Sequence, residues 1–122
     1  MERERFIRLV RRALREIPAP FKQHLKNIDI IVKRRPSAGE LRDAGLAPDE
    51  SMYGFYHGVP MTERGSDYGM TAPDVIYIYQ EPLEEDFSND RELVEEIRTT
   101  VLHEVGHFFG IDDERLEELG RG

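Results

Sequence analysis

The sequence predicts an α+β domain, with a helix near its start, strands through its middle and a long helix towards its end. Three observations carry this. Apolar residues recur at helical spacing from Phe6 to Ile17 and again from Val94 to Phe108. Two short β-forming runs lie between them, Ile28-Asp29-Ile30-Ile31-Val32 and Val75-Ile76-Tyr77-Ile78-Tyr79. Strands and helices do not alternate regularly, which sets the chain apart from a βαβ succession.

Each element follows from local chemistry. Apolar positions 6, 9, 10, 13, 14 and 17 form one face of an amphipathic helix, which Pro18 and Pro20 are expected to end. The first strand is closed by Pro36-Ser37-Ala38-Gly39, and residues 40–50, with Gly45 and Pro48, read as a connector holding a turn of helix. Tyr53 to Pro60 reads as a strand interrupted by Gly54 and Gly58, where a bulge or a close backbone approach is expected. Residues 62–73 read as a loop. Val75 to Tyr79 is the clearest strand and, being continuously apolar, belongs inside the sheet, whereas residues 53–59 are the candidate edge. Residues 83–90 read as acidic and irregular, with Ser88, Asn89 or Asp90 capping a helix over about 90–109. Gly110 suits the end of that helix, and a short acidic helix is expected over about 112–119.

Composition narrows the class. The 122 residues fit one domain, 1–122, with a single modest core. No apolar run is long enough to span a membrane, and none behind Met1 resembles a secretory signal, so a cytoplasmic location is expected. Without cysteine there are no disulfides, thiolate ligands or thiol nucleophiles. Residues 1–35 carry a net +7, yet the whole chain is −8. The basic helix is therefore expected to face water or pair with acids of its own chain, and a nucleic-acid partner is not expected.

The chemistry lies in His103-Glu104-Val105-Gly106-His107 and the residues that follow. Histidines four apart on a helix stand about 40° apart around the axis, one turn above the other, so both imidazoles reach one metal ion. Zinc takes such nitrogens at about 2.0–2.1 Å. Glu104 falls beside them, near enough to act on a zinc-activated water as general base without ligating. The wheel agrees: Val94, Ile97, Val101, Val105 and Phe108 form the core stripe, and the histidines share the other side with Glu96, Thr99 and Thr100. Gly110 lets the chain turn sharply, so that Asp113 returns to the ion as third ligand, with Asp112 its rival. Two imidazoles and one carboxylate leave the fourth position open, as a catalytic zinc requires. Iron, nickel and manganese also accept such donors.

The pattern His-Glu-x-x-His-x-x-Gly-x-x-Asp resembles the extended zinc motif of zincins whose third ligand is aspartate. The run from Gly54 to Arg64, then Pro73 to Tyr79, then Thr100 to Glu104 resembles a family of small bacterial zincin-like metallopeptidases. The likeness extends from the first helix to Leu119. It implies a minimal zincin-like domain: a helix, a small mixed sheet, the active-site helix, one zinc per chain and a peptide or protein substrate. Two departures stand out. No methionine follows Asp113, so the support given by the methionine turn of metzincins is expected to be absent or supplied otherwise, and no C-terminal subdomain is expected to form the far wall of a substrate cleft.

Other candidates precede the motif. Tyr68, His57 and Arg64 stand in glycine-rich surroundings and are candidate donors to the oxyanion of hydrolysis. His57 is also an alternative ligand, and His24 is given no role. An extended peptide is expected to add to the edge formed by residues 53–59. The rival reading is a metal- or peptide-binding module that retains the site without efficient catalysis. A nucleic-acid binder built on residues 3–15 is third. Sequence leaves the oligomeric state open.

Overall fold

The computed structural model describes residues 1–58 and 74–108, and within them the chain is α+β. In order come α1 (Arg3–Arg15), α2 (Ala19–Lys22), a 3-10 turn (Gln23–Leu25), β1 (Ile28–Lys33), α3 (Ala38–Asp43), β2 (Gly54–His57), β3 (Asp74–Tyr79), α4 (Gln80–Asp86) and α5 (Asp90–Phe108). The described strands make one mixed sheet of order β1-β3-β2. β3 is central, parallel to β1 from Ile28↔Asp74 to Lys33↔Tyr79 and antiparallel to β2 from Gly54↔Ile78 to His57↔Val75. The internal position expected of Val75–Tyr79 and the edge position expected of the glycine-flanked strand both hold for these residues. None of the described helices is long and apolar enough to cross a membrane.

Alternation along the strands decides where the core lies. Ile76 and Ile78 of β3 and Val32 of β1 are buried with Phe6, Leu9, Val10 and Ala13 of α1 and with Val94, Ile97, Val101 and Val105 of α5. The stripes expected on both helices are thus the ones that pack; for Phe108 only the backbone is described. Burying such side chains fully stabilises the fold by roughly 1.5–3 kcal/mol each, against the cost of ordering them.

Proline marks the main departures from expectation. α1 ends at Arg15, before either proline, because Pro18 restrains Ile17 from the helical region. Pro20 does not end a helix but lies in the first turn of α2, where its missing N–H has no partner to lose. The segment expected to be irregular from residue 83 belongs to α4, whose first turn contains Pro82 and which buries Pro82 and Leu83. The connector after β1 holds more helix than expected: Ser37 and Glu40 form a reciprocal capping box. Gly45, at φ +79°, ends α3 in the left-handed conformation.

Asn89 is the residue that starts α5. Its Oδ1 accepts from Glu92 N–H at 2.9 Å and its carbonyl from Leu93 N–H at 3.0 Å. Ahead of it, Tyr53 donates to Asp86 and packs edge-on against Phe87, tying α4 to the start of β2. That hydrogen bond, with burial behind it, pushes the Tyr53 phenol up to about 12. The raised value means the phenol form is favoured on folding, so this stabilisation is complete below pH 10 and fades as pH rises towards 12. Ultraviolet titration should show a tyrosine ionising near pH 12, and Asp86→Asn should return it towards 10.

Candidate metal centre

Around α5 the side chains fall into three adjacent stripes. Leu93, Val94, Ile97, Val101 and Val105 are buried in the core. Next around the wheel, about 40° apart, come Thr100 and Glu104, which turn towards β2. Beyond these, His103 and His107 are exposed. Their rings are stacked, with centroids 6.3 Å apart and planes 19° apart. The spacing of four that aligns them in sequence therefore aligns them in space.

Two zinc-bound imidazoles in tetrahedral geometry have centroids about 5 Å apart, given nitrogen–zinc distances of about 2.1 Å. The observed pair is about an ångström wider on a common face, a gap that small side-chain rotations close without moving the backbone. The two imidazoles are nitrogen donors of the kind zinc accepts. Among the described residues no group of three His, Cys, Asp or Glu side chains is gathered closely enough to hold a metal ion. Asp113 and its rival Asp112, like Gly110, Tyr68 and Arg64, lie outside the described residues.

Glu104 is held from the strand side. β2 exchanges hydrogen bonds with β3 through Tyr53, whose carbonyl accepts from Tyr79 N–H at 2.9 Å, so alternate residues Gly54 and Tyr56 turn their N–H groups to the outer edge. Tyr56 N–H donates to Glu104 Oε1 at 2.7 Å. Burial raises the Glu104 pKa, while the Tyr56 hydrogen bond and the two histidines act in the opposite direction. On the same helix, burial raises the Glu96 pKa, and His103 opposes it.

This contact depends on a match of two repeats. Four helical residues rise about 6 Å and two strand residues about 6.6 Å, so Thr100 meets Gly54 where Glu104 meets Tyr56. A Cβ on Gly54 would stand 2.6 Å from Thr100 Cγ2 and 3.0 Å from the Tyr77 carbonyl oxygen. The close backbone approach expected at this glycine is thus met by the Tyr77 carbonyl, and a helix side chain comes closer still. Thr100, expected on the wet side of the helix, is buried there. Gly54→Ala should cost about 1–3 kcal/mol by overpacking. In thermal melts Thr100→Ser, which removes the obstructing methyl, should recover most of that loss.

Sequence reasoning passed over two contributors. Tyr56 acts through its main chain, which no side-chain pattern announces. Its hydroxyl donates at 2.8 Å to the buried Asp74 carboxylate, bracing β2 against the start of β3. Gly58 makes room for that carboxylate. The only advance signal was the pair of glycines on either side of Tyr56. His57 is placed elsewhere: alternation turns it to the opposite sheet face, with its ring 6.4 Å from Phe55 and 6.5 Å from Tyr77. It forms no metal-binding group with His103 and His107.

A family model described as a zincin-like metallopeptidase matches residues 25–122. A conserved hypothetical protein from T. thermophilus has a similar solved fold, with a TM-score of 0.56 and 23% identity over 99% of this chain and 100% of the other. Among curated proteins none matches the chain.

Proposed function

The chain belongs to the zincin-like metallopeptidase family, and from that premise we propose that it is a zinc-dependent peptidase with Glu104 as its general base. The supporting observation is the conjunction of two stacked, exposed imidazoles with a carboxylate held beside them by the edge strand. His103 and His107 would hold the ion, with Asp113 as the third ligand. Bound there, zinc would supply Lewis acidity towards water and a peptide carbonyl.

The chain's own part falls to Glu104. Its Oε1 is engaged by Tyr56 N–H, which leaves Oε2 to accept a proton from the attacking water. As the carbon–oxygen bond forms, that proton passes to Glu104; as the carbon–nitrogen bond breaks, Glu104 returns it to the leaving amine. Tyr56 thus acts as a positioning residue through its backbone. Tyr68 and Arg64 are proposed donors to the oxyanion. His57 is no longer a candidate ligand in this reading, given its place on the far face of the sheet.

The second reading is a metal- or peptide-binding module without efficient catalysis, and the same bond supports its metal-binding form. A peptide adding to β2 meets an edge whose Tyr56 N–H is already taken by Glu104. Metal analysis of the purified protein, then a quenched-peptide library assayed with and without chelator, separates the two. One equivalent of zinc with chelator-sensitive cleavage supports the peptidase. Zinc without cleavage across the library supports the module.

A further inference from the structure

We propose that the groove between α1 and the outer edge of β1 receives an extended acidic peptide segment as an added fourth strand. This is independent of hydrolysis at Glu104, because β1 is the opposite edge of the sheet from β2.

The groove has a volume of about 370 Å³. Its walls are apolar, from Ile7, Val10 and Leu14 on the helix and Ile30 on the strand, and Arg3 and Arg11 stand on its rim. Ile31 is 40% exposed, one of the few large apolar side chains left in water. The backbone is equally open. Glu81 N–H donates to the Arg34 carbonyl at 2.9 Å, which fixes the phase of the parallel ladder. Ile28, Ile30 and Val32 therefore spend their backbone groups on β3, and Asp29, Ile31 and Lys33 turn theirs outward. No described strand covers them. Such an edge is a template for strand addition.

Charge selects the occupant. Arg5 pairs with Asp90 and Arg12 with Glu16, but no ion pair engages Arg3 or Arg11 among the described residues. Arg3, Ile7 and Arg11 form a row with four-residue steps, each about 6 Å along the helix. Two strand residues span about 6.6 Å, so a strand lying along this row would present every second side chain to it. The pattern it reads is acid, any residue, apolar, any residue, acid. A second copy of this chain suits the groove poorly, since antiparallel β1–β1 pairing across a two-fold axis brings the two arginine rows together.

The test uses the full chain and a fluorescent peptide of sequence Glu-Thr-Val-Thr-Glu between glycines, followed by anisotropy at low salt. Saturable binding is expected, together with slowed hydrogen exchange at the Ile31 amide. Arg3→Glu and Arg11→Glu should each weaken binding about fivefold, and a Lys-Thr-Val-Thr-Lys peptide should not bind. Ile31→Pro, which removes an outward N–H at an edge where proline is tolerated, should weaken binding while circular dichroism stays unchanged. Binding indifferent to all three substitutions would overturn the proposal. So would an unprotected Ile31 amide, a DNA duplex held at the same arginines in place of the peptide, or self-association that Arg3→Glu abolishes.

Discussion

Glu104→Gln should reduce peptide hydrolysis about 10²–10⁴-fold, the usual contribution of a positioned general base, while zinc content stays at one per chain. The amide is nearly isosteric with the carboxylate, and its oxygen can still accept from Tyr56 N–H, so β2 and α5 should keep their contact. What it lacks is basicity. The thermal midpoint should rise slightly or stay level, because burial penalises the charged form that the substitution removes. Cleavage by this variant at the wild-type rate would take Glu104 out of the mechanism and leave the metal site standing. Zinc lost along with activity would instead make Glu104 a ligand.

Substitution of either stacked histidine should have the opposite signature. His103→Ala and His107→Ala should each lower zinc affinity by more than about 100-fold, since loss of an outer-shell partner alone costs 10–100-fold. Both side chains are exposed, so the metal-free melting temperature should move by no more than a surface substitution moves it. His57→Ala is the matched control. It removes an imidazole from the other face of the sheet and should leave zinc stoichiometry unchanged. Competition against a chromogenic chelator measures all three. Full zinc affinity in either helix variant would dismiss the paired-imidazole site, and a loss in His57→Ala would show that the centre draws on β2.

How much of this was legible beforehand divides along physical lines. Core stripes, the two β-forming runs and the His-Glu-x-x-His pattern depend on residue type at fixed spacing, and these are what sequence displays. The central place of β3 followed from its unbroken apolar run. Pro20 misled because proline breaks a helix only past its first turn, and position within a helix is not visible until its start is known. Thr100 misled for another reason. A single wheel has one wet side, whereas α5 packs against a core on one flank and a strand edge on the next. The main-chain grip of Tyr56 on Glu104 joins residues 48 apart and uses an atom common to nearly every amino acid, so composition holds no trace of it.

The order β1-β3-β2 has a consequence for how the chain is made. Neither β1 nor β2 pairs with the other; each waits for β3, and Ile28 meets Asp74 only after the intervening residues have left the ribosome. During that interval Ile28, Ile30 and Val32 have no sheet neighbour among the described residues to bury against, which is the period when a nascent chain most needs shielding from aggregation. Emergence of β3 then completes both pairings together, so the sheet should be gained in one cooperative step.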